Sequence, residues 1–205
     1  MRNRTTRALG ATALTLTLAL GAVACGTDES ASDTSTQVSA TEHNDADVAF
    51  ASDMLQHHAQ ALSMVDLTMG RPLDPEVQQL AEQIREAQAP EIQTFSGWLT
   101  DWDEEIPETV RDHANAHGDH DMGGDTGTDM PGMMTADDMT ALEEAPDAEF
   151  QAMWLDMMIE HHEGAVEMAK SEREDGQYKP AVDLAADIAK SQTAEIATMQ
   201  GLLDS

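Results

Sequence analysis

One cysteine, Cys25, stands in a chain of 205 residues, which excludes an internal disulfide and a thiolate metal cluster. Basic residues are scarce, ten Lys and Arg against 40 Asp and Glu. Nucleic acid and anionic membrane surfaces are therefore poor partners. No glycine-rich phosphate loop is present, no serine falls in a strand-turn-helix context, and no Glu-x-x-His occurs anywhere. Nothing here predicts a catalytic nucleophile. The one long apolar run, within residues 1–24, is too short and too close to the N-terminus for a permanent membrane span.

That run follows Arg2, Arg4 and Arg7 and closes in Gly-Ala-Val-Ala before Cys25-Gly26, the pattern of a bacterial lipoprotein signal. Residues 1–24 are expected to be a signal peptide and Cys25 the lipidated residue. Removing the leader leaves seven basic against 40 acidic residues, a formal charge of −33. Residues 25–43, rich in Ser, Thr, Asp and Ala, predict a disordered tether to a lipid anchor on the extracytoplasmic face of the cell membrane; plain secretion is the alternative.

What the chain does have is a stretch that occurs twice, 104 residues apart. Met54-Leu-Gln-His57-His58 leads to Met64, and Met158-Ile-Glu-His161-His162 leads to Met168. The offset persists through Leu80, Ile84, Gln88, Glu91 and Ile92 onto Leu184, Ile188, Gln192, Glu195 and Ile196. Each repeat reads as a helical hairpin, with the His pair on its first helix and Gln-x-x-Glu-Ile on its second.

The helices are expected from Asn44 as N-cap to Gly70, from Asp74 as N-cap with Pro75 at the first helical position to about Trp102, from about Asp147 to Asp175, and from Lys179-Pro180 to the C-terminus. Pro90 should bend the second of them. Residues 103–146 form a long crossover holding His113, His117, His120, Met130, Met133 and Met134, with a short helix capped by Thr135 and Asp138. Two hairpins joined by one long crossover give an all-α, ferritin-like four-helix bundle over residues 44–205.

Di-iron bundles need Glu-x-x-His twice to supply hard oxygen ligands. Here Met-x-x-His puts a thioether where that carboxylate would stand. Soft sulfur with imidazole selects Cu(I), and imidazole also takes Cu(II), so copper is the expected ion, with zinc and iron left open. The expected ligands are His57, His58, Met54, Met64, His161, His162, Met158 and Met168. Weaker candidates are His113, His117, His120, Met130, Met133 and Met134 in the crossover. Glu91, Glu195, Gln88 and Gln192 fall on apolar faces, where a polar side chain needs a partner, and the histidines across the bundle are the natural ones.

Met-Leu-Gln-His-His-Ala-Gln-Ala-Leu-Ser-Met at 54–64, Met-Pro-Gly-Met-Met-Thr at 130–135 and Met-Ile-Glu-His-His-Glu-Gly-Ala-Val-Glu-Met-Ala at 158–169 resemble the bacterial family known as domain of unknown function 305. The resemblance covers residues 44–203. It implies a secreted or lipid-anchored ferritin-like helical domain, with copper binding known for some members and no enzymatic activity established. It also implies that the His doublets, their flanking Met and the Met-Pro-Gly-Met-Met segment are ligands, with Pro90 a departure beside Glu91. Three functions stay open on the residues. The first is an extracytoplasmic copper-binding protein for sequestration or delivery, acting alone, as a homo-oligomer or with a metal-transfer partner. The others are a ferritin-like metal-dependent oxidoreductase built on the histidines with Glu91 and Glu195, and a metal-free interaction module whose histidines are core hydrogen-bonders.

Overall fold

The computed structural model of the protein describes residues 38–114 and 130–205. Asn44 caps α1 (Asp45–Asp66) by accepting from the N–H of Ala46 and Asp47, while the Asp47 carboxylate accepts the Asn44 N–H at 2.7 Å. This reciprocal pair satisfies donors that a helix start leaves open. The helix stops at Asp66, four residues short of the expected Gly70. Thr68 and Met69 donate to carbonyls only three residues back, both at 3.1 Å, and this tightens the chain into a turn.

α2 (Pro75–Asp101) starts at the expected proline, but Asp74 does not cap it. Its carboxylate and N–H instead exchange hydrogen bonds with the Gln151 amide, both at 2.8 Å. The helix continues through Pro90. The crossover contains α3 (Val110–Ala114) and α4 (Ala136–Glu144), and Thr135 with Asp138 forms the expected capping box of α4. α5 (Asp147–Asp175) and α6 (Lys179–Leu203) complete the chain. No helix among the described residues is long and apolar enough to cross a membrane.

α1 packs along α2 and α5 along α6, and the two hairpins meet through α1 and α5. The protein is an all-α four-helix bundle of the ferritin-like kind. Its core is divided in two. One cluster holds Met64, Val65, Leu80, Ile84, Phe150, Trp154 and Met158; the other holds Phe50, Met54, Leu55, Phe95, Ala165, Ala169 and Ile188. The first half of α1 shares a cluster with the second half of α5 and the reverse, so these helices run antiparallel. Buried side chains on this scale each contribute about 1.5–3 kcal/mol, so two such clusters can tolerate a polar layer between them.

Residues 38–43, the end of the stretch expected to be a tether, are described. The Ser39 N–H donates to the Gln177 carbonyl and the Lys179 N–H to the Ser39 carbonyl, both at 2.6 Å, while His43 stacks on Trp102 at 4.5 Å. Paired backbone and a ring stack hold this short polar stretch where composition alone predicts none. The expected signal peptide, Cys25 and the expected tether up to residue 37 lie outside the described residues.

Candidate metal centre

The layer between the two clusters consists of His57, His58, Gln88, His161, His162 and Gln192, none more than 3% exposed. Adjacent histidines on a helix point about 100° apart, so each doublet serves two directions. His57 and His161 face one another across the α1–α5 contact, ring centroids 3.7 Å apart and planes tilted by 38°. His58 and His162 turn to the second helix of their own hairpin. There Nε2 of His58 donates to Glu91 at 2.7 Å and Nε2 of His162 to Glu195 at 2.8 Å. In both hairpins donor and acceptor stand 33 residues apart. Pro90 leaves this bond intact.

Since the carboxylates accept, Nε2 carries the proton in both rings, a tautomer fixed by its partner. Nδ1 of His57, His58 and His162 and both nitrogens of His161 are then buried with no hydrogen-bond partner among the described residues. Burial, reinforced by the charge of neighbouring His58 and opposed by a hydrogen bond to Pro131, lowers the His57 pKa to about 3. Burial first, then His57, His162 and His58, holds His161 well below the ordinary imidazole value. Both rings are neutral at pH 7, the form that binds a metal.

The methionines distribute symmetrically about this layer. Met54 belongs to one cluster with Met168 packed against it, and Met64 and Met158 belong to the other. Each side of the imidazole layer therefore carries a methionine from both helices. Met54, Met64 and Met158 are fully buried; Met168 is half-buried. Among the described residues the Gln88 amide has no partner at either end, and Oε1 of Gln192 has none. These glutamines share the buried layer but make no hydrogen bond with the histidines.

The crossover returns to this place. The Pro131 carbonyl accepts from Nε2 of His57 at 3.2 Å. The Gln60 amide donates to the Met134 carbonyl at 2.8 Å and accepts the Met134 N–H at 2.7 Å. Gly132, at φ +74°, lies so close to α5 that a Cβ would sit 2.6 Å from the Glu160 carbonyl oxygen. Gly164 supplies the room on α5, where a Cβ would overlap the Pro131 carbonyl. Met130 and Met133 are half-buried and Met134 is buried. His113 falls in α3 with its side chain outside the described residues, as are His117 and His120 altogether.

Gln60 and Gly164 carry no ligand chemistry and were not among the expected site residues. They occupy equivalent places in the two copies of the repeated stretch, and that mismatch is the signal that could have found them. Among the described residues, no three His, Cys, Asp or Glu side chains converge as a preformed metal cage. The donors nonetheless fit a soft ion: neutral, desolvated imidazole nitrogens without partners, bracketed by thioethers, two of the rings oriented by carboxylates.

Fold and site together define a helical-bundle protein with a buried, largely unpartnered imidazole layer between paired hairpins. The profile of the family described as domain of unknown function (DUF305) matches residues 47–203, and the chain belongs to that family. Among solved structures it is similar to a DUF305 protein from Streptomyces coelicolor (33% identity, TM-score 0.65, covering 78% of this chain and 91% of that one). It is also similar to a DUF305 fragment from Deinococcus radiodurans (28%, 0.64, 78% and 97%). CopM in its Cu(II)-bound form matches at 28% identity and TM-score 0.60, covering 77% of this chain and 95% of that one. No curated protein sequence gives a significant match.

Proposed function

We propose that this is an extracytoplasmic copper-binding protein that sequesters the ion or hands it on. The observation that carries the reading is the set of buried ring nitrogens on His57, His58, His161 and His162 that have no partner among the described residues. Leaving several polar atoms unsatisfied in one layer costs about 1–3 kcal/mol each, and a bound ion offsets that cost. Cu(I) suits the set because imidazole and thioether are neutral, so a monovalent charge is all that is buried, with Glu91 and Glu195 one hydrogen bond away to balance it. His57, His58, His161 and His162 would hold the ion, Met54, Met64, Met158 and Met168 would add sulfur ligands, and Met130, Met133 and Met134 would contribute from the crossover. Similarity to CopM solved with Cu(I), Cu(II) and silver supports the choice of metal.

The strongly acidic chain attracts cations, and its N-terminal run with Cys25 supports export and lipid anchoring. A Streptomyces relative carries the description "putative secreted protein", which supports the same compartment. The test is Cu(I) stoichiometry and affinity by competition with a chromophoric chelator, for the native protein and for a variant with His57, His58, His161 and His162 replaced by Gln. Loss of the tight sites in a folded variant is expected; unchanged binding would overturn the proposal. A second reading, a metal-free module, is favoured by the two Nε2–carboxylate bonds, which satisfy half of His58 and His162 without any ion. On that reading the variant loses stability while the native protein retains no copper.

A further inference from the structure

The four imidazoles are at most 1% exposed, so an ion in solution has no direct route to their free nitrogens. Something must open. α1 and α5 are long continuous helices, and moving either disrupts both core clusters. The segment Met130–Met134 is different: five residues laid across the His57–His161 pair and held mainly by side chains of α1. His57 holds its Pro131 carbonyl, and Gln60 holds Met134 at both backbone atoms. Gly132 slots against α5 beside Gly164, a fit of shape and not of bonds. Only Met134 of the five is buried. Met130 and Met133, both half-buried, stand at its edge.

We infer that Met130–Met134 is the gate of the buried histidines, and that Gln60 is the latch residue that sets how often it opens. Resting on the copper-binding reading, the gate gives that site an entry route. Thioethers of Met130 and Met133 take Cu(I) at the surface. When the Gln60 and His57 hydrogen bonds to the segment break, sulfur–copper bonds are exchanged for imidazole nitrogen–copper bonds. All these ligands are neutral, so no proton is released, and copper stays Cu(I) throughout. Gln60 binds no metal in this scheme; it acts through the position of the segment.

The test compares the native protein with Gln60→Leu, which keeps a branched side chain of similar bulk in the buried position and removes both hydrogen bonds. Two readouts are needed: hydrogen exchange of the Met134 amide without metal, and the rate of Cu(I) uptake by stopped flow. Losing two neutral hydrogen bonds should speed amide exchange by about tenfold or more. Uptake and release of Cu(I) should rise together by a similar factor, with affinity changed by less than about threefold, because closed metal-free and closed loaded states lose the same latch. A second variant, Met130→Leu with Met133→Leu, keeps the apolar bulk and should slow uptake several-fold. Faster amide exchange with unchanged uptake would overturn the gate, as would an uptake rate indifferent to the two methionines. A native protein that takes up no Cu(I) at all would instead overturn the copper-binding reading on which the gate rests.

Discussion

Glu91 and Glu195 each accept a proton-bearing Nε2 from a fully buried imidazole, so their removal leaves a buried donor without its acceptor. Glu195→Ala should lower the unfolding free energy by about 1–3 kcal/mol, and Glu195→Gln, which keeps an acceptor, by less than about 1 kcal/mol, measured by urea titration. Equal losses for both would mean that the bond contributes nothing. Glu172 gives a separate residue-scale prediction. It is 2% exposed, and burial first, then a hydrogen bond and charge repulsion from Asp47 and repulsion from Asp175, raise its pKa from 4.5 to about 9. Between those values the folded protein keeps a proton that the unfolded chain has lost. This group therefore makes stability fall as pH rises from 4.5 to about 9, and Glu172→Gln should remove that part of the slope. His57 acts in the opposite sense: its folded pKa is depressed from 6.5 to about 3, so its contribution is present above 6.5 and lost as pH falls through that window. Thermal unfolding of the metal-free protein across pH 3–9 reads both.

At the scale of elements, the sign of one substitution separates a packed notch from an ordinary helix position. Gly→Ala inside an exposed helix stabilises by up to about 1 kcal/mol. At Gly164 the new Cβ would overlap the Pro131 carbonyl, so Gly164→Ala should destabilise, by about 1–3 kcal/mol, seen as a lowered melting temperature. A raised melting temperature would show that the crossover does not seat there. The helices themselves were legible in the sequence wherever a cap or a breaker marks them: α5 spans Asp147–Asp175 before Gly176 as read, and Thr135 with Asp138 starts α4. The end of α1 was not, because three-residue-back hydrogen bonds at Thr68 and Met69 close the turn before Gly70. Nor was the placement of Met130–Met134, since it depends on a notch formed only when α1 and α5 meet. That Glu91 and Glu195 partner the histidines could be read from the apolar faces; that they take His58 and His162, and that His57 meets His161, needs the helices in place.

Over the whole molecule, two apolar clusters carry the fold and a buried polar layer lies between them. That division explains why a protein can hold several partnerless polar atoms at its centre without losing its bundle: the hairpins α1–α2 and α5–α6 each contribute to both clusters. A large excess of acid over base adds self-repulsion, so raising salt from low to physiological levels should stabilise the metal-free protein modestly, while the proposed Cu(I) binding at the buried layer should change little in affinity. The central claim is that the imidazole layer retains copper. Elemental analysis of a protein spanning residues 38–205, loaded with copper, zinc and iron together and dialysed exhaustively, tests it most directly. The account predicts copper retained in preference to the other two and lost when His57, His58, His161 and His162 become Gln in a folded variant. A folded native protein that keeps no metal would contradict it and leave the histidines as core hydrogen-bonders.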